Sequence, residues 1–236
     1  MMNGNAQIIR LSADGTHRTP LTNTRVNTLP AVSPDESTIA MVSIENGKFG
    51  VWTMGIDGRN QKRLAEIGAP GWLSFTPDGR FIICTSQVTS TPSTWRVPVA
   101  GGQPVEIARQ LDRAAVSPDG KWLAGVYSAS VNAQGMAPTI AVVPLDGSVP
   151  LRTLQRMATA TGTGLLTWAK DGSGIIATSN ERFNLFFFPI DGGPMKRLTN
   201  LSDEMFLFGA LSADGRNMAA ARGRMLRDAF LMRGFR

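Results

Sequence analysis

Cysteine and histidine are nearly missing from this chain, and long apolar runs are missing altogether. Cys84 is the one cysteine, which excludes an internal disulfide and a multi-cysteine metal site. It lies in the apolar run 81–86, where a buried, inert thiol is expected. His17 is the one histidine, and it stands in the turn 14–19, a place that Asp57 to Lys62 fills in the next repeat. A generic turn position is a poor place for a catalytic base. No apolar run approaches the roughly 18 residues that a membrane helix needs, so membrane insertion is not expected. The first residues lack a basic segment followed by an apolar core, so no secretory signal is expected there. No stretch offers an amphipathic helix.

Other signatures of chemistry fail one by one. No GxSxG elbow and no kinase signature is present. Gly162, Thr163 and Gly164 lack the Lys-Ser/Thr of a phosphate loop, and read as a connection between repeats. The recurring turn aspartates stand alone, whereas a calcium loop needs several oxygen ligands close together. Neither a metal nor another cofactor is expected. The chain carries a formal charge of +6, but Lys and Arg are scattered and no aromatics interleave with them. The one local cluster is Arg222, Arg224 and Arg227. A solvated basic surface fits better than a nucleic-acid site.

What the chain does have is a repeat. Ser-Pro-Asp-Gly or a variant places an Asp at 35, 78, 119, 171 and 214, with spacings of 43, 41, 52 and 43. A second turn falls at 14, 57, 100, 146 and 191, with spacings of 43, 43, 46 and 45. Two registers advancing at one period define a repeating unit. Pro sets φ for the turn, Asp bonds the amides beyond it, and Gly tolerates positive φ. Short apolar runs flank both turns, among them 38–43, 81–86, 122–128 and 174–179 after the first turn and 49–54, 93–99, 139–145 and 184–190 before the second. They are of strand length and rich in β-branched or aromatic residues. Each unit is therefore four short strands. One such sheet cannot bury both faces, and radial stacking of sheets can. The expected fold is an all-β propeller of four-stranded antiparallel blades.

The pattern, seen clearly over 31–65, resembles the TolB-like or WD-like β-propeller repeat, and the resemblance covers essentially the whole chain. Residues 221–236 are similar to the terminal blade of propellers fused behind bacterial kinase or DNA-binding domains. The expected blades are 28–69, 70–109, 110–160 and 161–203, with partial blades at 1–27 and 204–236. The ends would make five blades if they joined in one ring. Because TolB-type propellers more often have six or more, a fragment of a larger ring, and of a larger bacterial protein, is the favoured expectation.

The resemblance implies a non-catalytic binding or scaffold module of an envelope or signalling protein, with a protein or peptide partner or a small ligand at the channel mouth. The rival expectations are a substrate-gating propeller of a peptidase, a lyase-type propeller, or a TolB-like envelope transport component. The resemblance also favours the periplasm, with the cytoplasm as the alternative; the oligomeric state is left open. Candidate site residues are those near the starts of the first strands, Arg25, Trp72, Arg113 and Phe208. Asn132 and Gln134 join them from the insertion at 128–139 that breaks the period.

Overall fold

The computed structural model describes residues 6–12, 14–87, 91–127, 139–148, 152–156, 166–178, 184–201, 205–211 and 217–223. Every regular element among them is a strand. Four sheets have four antiparallel strands each, paired in chain order. The first holds β3 (Val26–Val32), β4 (Thr38–Glu45), β5 (Lys48–Gly55) and β6 (Lys62–Ala65). The second holds β7 (Pro70–Phe75), β8 (Phe81–Ser86), β9 (Ser93–Pro98) and β10 (Val105–Arg109). The third holds β11 (Leu111–Val116), β12 (Trp122–Tyr127), β13 (Thr139–Pro144) and β14 (Arg152–Arg156). The fourth holds β15 (Leu166–Trp168), β16 (Gly174–Thr178), β17 (Leu185–Pro189) and β18 (Lys196–Arg197). Two pairs complete the set: β1 (Ile9–Leu11) with β2 (Arg18–Pro20), and β19 (Met205–Leu211) with β20 (Met218–Gly223).

The cores lie between sheets, which is why the second strands are apolar without alternation. Side chains on a strand point to opposite faces in turn. Ile39 and Met41 pack towards the β1–β2 pair, with Ile8, Leu21, Trp52 and Met54. Their neighbour Ala40 packs the other way, against Ile82, Cys84 and Val97 of the second sheet. Ile83 then faces Leu123, Ala141 and Val143 of the third sheet. Ala124, Ile140 and Val142 face Trp168, Ile175 and Phe188 of the fourth. Both faces of β4, β8 and β12 are therefore buried, and each such Ile or Leu contributes roughly 1.5–3 kcal/mol through burial. The first strands β3, β7, β11 and β15 lie in sequence alongside one another. Sheets stacked face to face, with their first strands adjacent, make a propeller with those strands innermost.

The turn residues do what their chemistry dictates. Ser33 Oγ donates to Asp35 Oδ1 at 2.5 Å, and the Ser37 amide donates to the same oxygen at 3.1 Å. The Thr38 amide donates back to Ser33 Oγ at 3.0 Å. The same arrangement recurs with Thr76 and Asp78 and with Ser117 and Asp119. His17 sits in a turn of this kind: its amide donates to Ser12 Oγ, and Ser12 Oγ donates to Asp14. Cys84 is fully buried, and desolvation pushes its thiol pKa up to about 12.

The two end pairs carry complementary halves of a blade. By the turn registers, β1 and β2 are third and fourth strands, and β19 and β20 are first and second. They remain separate two-stranded sheets, with no ladder between β20 and β1 among the described residues. Val32 shows the consequence. Its counterparts Phe75, Val116 and Trp168 pack against the preceding sheet, whereas Val32 is 52% exposed.

Candidate functional site at the first strands

The first strands share a defect in their ladders. In β3 the register jumps between Thr28 and Ala31, in β7 between Pro70 and Leu73, and in β11 between Asp112 and Ala115. Each jump sets two residues against one on the second strand, which is a β-bulge. Counted six residues back from the turn Asp, the bulges contain Leu29, Trp72 and Arg113. Leu29 and Arg113 adopt φ of +51° and +52°, a left-handed conformation that costs a non-glycine residue roughly 1–2 kcal/mol. Leu29 and Arg113 share this strain and Trp72 does not, while in all three strands the bulge re-aims the side chains beside it. Leu29 is 44% exposed and Trp72 39% exposed, both high for large apolar side chains on inner strands. Asp112 holds Arg113 in two ways. Its carboxylate accepts the Arg113 amide at 2.8 Å and lies 3.9 Å from the guanidinium.

The sequence-named residues divide here. Trp72 and Arg113 both fall in the bulges of adjacent strands, Trp72 as the second of the two residues set against one and Arg113 as the first. Phe208 has the same offset from Asp214, but in β19 the register shift falls between Phe206 and Phe208, one residue earlier. Asn132 and Gln134 lie outside the described residues, as do Gly162 to Gly164 and Arg224 and Arg227. Arg25 stands in the link before β3, outside the bulge register, and serves as a clamp. Its guanidinium lies 4.0 Å from the Trp52 ring centroid. It also donates to Glu45 at 2.9 Å and to Gln61 at 2.7 Å. Sequence inspection missed Leu29, although counting back from Asp35 would have found it.

A second feature opens at the same end of the sheets. The links between sheets and the β8–β9 connection meet there, around a cleft of about 410 Å³ between the first and second sheets. Trp95, Pro92 and Pro104 give it apolar walls, and Glu66, Glu106 and Arg109 give it charge. Arg109 is paired with Glu106 at 2.6 Å, and Arg63 with Glu66 at 2.7 Å. Hydrogen bonds from Arg63 and then Lys48 hold the Glu66 carboxyl below its ordinary pKa. No group of three or more His, Cys, Asp or Glu able to hold a metal occurs among the described residues.

Stacked four-stranded sheets, inner-strand bulges and Ser-Pro-Asp turns define a β-propeller. Neither a protein-family model nor a curated protein sequence matches the chain. Solved structures do. TolB from Acinetobacter baumannii is similar with a TM-score of 0.64 and 21% identity, over 89% of this chain and 52% of that one. An oligogalacturonate lyase in complex with manganese is similar with a TM-score of 0.60 and 13% identity, over 79% of this chain and 55% of that one. A puromycin-hydrolyzing peptidase of Mycobacterium tuberculosis is similar with a TM-score of 0.63 and 17% identity, over 91% of this chain and 39% of that one. The fold is that of a TolB-like β-propeller, and the chain spans about half or less of each of these three proteins.

Proposed function

We propose that the chain is a non-catalytic binding or scaffold propeller that takes a protein, peptide or small ligand at the mouth of its central channel. The carrying observation is the bulge repeated in β3, β7 and β11, which sets Leu29, Trp72 and Arg113 on neighbouring inner strands, partly exposed and in part strained. An exposed indole and leucine beside a guanidinium suit a ligand with an apolar group and an anionic one. In this reading the chain works as part of a larger envelope or signalling protein.

A photoreactive phenylalanine at position 72 tests it directly. In a bacterial envelope extract the expected result is one discrete crosslinked adduct that weakens with Arg113→Glu. An adduct pattern no different from that of the same probe at Met195, on the outer rim, would count against the reading.

The rival is the propeller of a peptidase or lyase. It draws on the likeness to the lyase and peptidase structures, whose TM-scores of 0.60 and 0.63 are close to the 0.64 of TolB. Turnover by the purified chain that disappears with one polar mouth substitution would establish the rival and end the non-catalytic reading.

A further inference from the structure

The other end of the sheets, where both sets of turns lie, carries a groove of about 550 Å³ between the second and third sheets. Its walls are Trp122, Pro144 and Leu145, and Arg96, Lys121 and Asp146 supply its charge. Trp122 opens β12, and it is 41% exposed.

Its counterpart in the second sheet shows what is unusual. Counted three residues after the turn Asp, that counterpart is Phe81. Phe81 has the guanidinium groups of Arg80 and Arg96 at 5.7 and 5.0 Å from its ring centroid. Trp122 has no such cap among the described residues: the residue matching Arg96 is Val142, counted from the second turn. Arg96 and Lys121 enter no ion pair among the described residues. The groove thus joins a partly exposed indole to two cations that enter no ion pair, although Asp146 lies near enough to Arg96, and Asp119 near enough to Lys121, to feel their charge.

From this we infer that the groove is a second binding site, which takes an acidic peptide segment of a partner protein. An apolar or aromatic side chain of the peptide lies on Trp122, and flanking carboxylates meet Lys121 and Arg96. The two cations disfavour a basic ligand, although tryptophan alone would welcome one. Asp146 chooses between the anionic alternatives. It is an acceptor-only carboxylate on the groove wall, and a peptide main chain offers it N–H donors while a phosphodiester backbone does not. The site is independent of the channel mouth, since it lies at the opposite end of the sheets.

The test uses the whole chain and fluorescence anisotropy. The probe is a fluorescein-labelled peptide, Glu-Glu-Phe-Glu-Glu. The comparison probes are Glu-Glu-Ala-Glu-Glu, Lys-Lys-Phe-Lys-Lys and a short oligodeoxythymidylate. The acidic phenylalanine peptide should bind most tightly, and added salt should weaken it. Trp122→Ala and Lys121→Glu should each weaken it by roughly tenfold. Met195→Ala, at neither site, should leave it unchanged, so that a loss in the groove variants assigns the binding to the groove. Lys121 is exposed, so its variant reports on the site even where Trp122→Ala lowers Tm. The inference is overturned by any of three results: no measurable binding of the acidic phenylalanine peptide, equal binding of the acidic and basic peptides, or tighter binding of the oligonucleotide. Unchanged affinity in both groove variants overturns it as well.

Discussion

Glu36 occupies a place that the repeat reserves for glycine. Gly79, Gly120 and Gly172 hold the same turn position with φ of +68°, +72° and +71°, and Glu36 holds it with φ of +59°. A residue with a Cβ is strained there by roughly 1–2 kcal/mol, while glycine loses about 0.5–1 kcal/mol more backbone entropy on folding. Glu36 is exposed, and its carboxylate enters no ion pair that could offset the strain among the described residues. Glu36→Gly should therefore stabilise the chain by about 0.5–1 kcal/mol, seen as a rise in the thermal midpoint. A fall would mean that the turn does not carry the strain its φ implies. Arg25 makes the converse point at the same scale. Nothing in its neighbouring sequence announces that it will lie on Trp52, 27 positions away in the chain. Trp72 and Arg113 were legible because a local count from each turn Asp finds them.

At the scale of the element, the turns and the second strands explain why so much of the fold was legible. A Ser or Thr two residues before the Asp, and an amide two after it, satisfy the carboxylate within one turn, so the motif works without tertiary help. The carboxylates are held below their ordinary range by these bonds. At Asp14 the Ser12 hydroxyl contributes most, then Thr16, and the pKa falls from 3.8 to about 2. Asp35, Asp78 and Asp119 shift the same way, led by Ser33, Thr76 and Ser117. A carboxyl with a depressed folded-state pKa stabilises the fold above its unfolded value and loses that effect as pH falls through the folded value. The turns should thus weaken together as pH falls below the ordinary carboxylate range, the Asp14 turn as it passes about 2. Urea midpoints measured at pH 5, 3.5 and 2 should fall most steeply over the last interval, and Asp78→Asn should flatten the curve. A midpoint that stays level from pH 5 to pH 2 would show that the turns do not couple to global stability. The bulges were not legible, because a bulge is a relation between two strands. Spacing gave where β3, β7 and β11 run, and only the pairing with β4, β8 and β12 revealed the two residues set against one. The cleft beside Trp95 was hidden for a similar reason, since its walls come from two sheets.

For the whole molecule, the unsettled element of the sequence reading was how the ends meet, and local pattern could not decide it. Whether β20 reaches β1 depends on the angle accumulated over four sheets, to which no single residue is tuned. In the structure no ladder joins the two pairs among the described residues, and β3 and the neighbouring β1 carry exposed apolar side chains. Leu11 is 61% exposed and Val32 52%. An unpaired strand beside an apolar face is a template for another chain. The chain on its own should therefore self-associate as concentration rises, with a sedimentation coefficient that climbs with loading. Val32→Lys places a charge on the face that a preceding inner strand would cover, and should reduce this association without lowering Tm, because Val32 is already half in solvent. The same substitution separates two ways in which the face could be covered. Where strands outside this chain complete the ring, Val32→Lys destabilises the longer protein and leaves this chain unaffected in Tm. Where the chain's own β19–β20 pair closes it, Tm of this chain falls and small-angle scattering shows a ring that opens. A chain that stays monomeric at every concentration, with Tm unmoved by the lysine in either protein, would mean that the face of β3 is solvated in the native assembly.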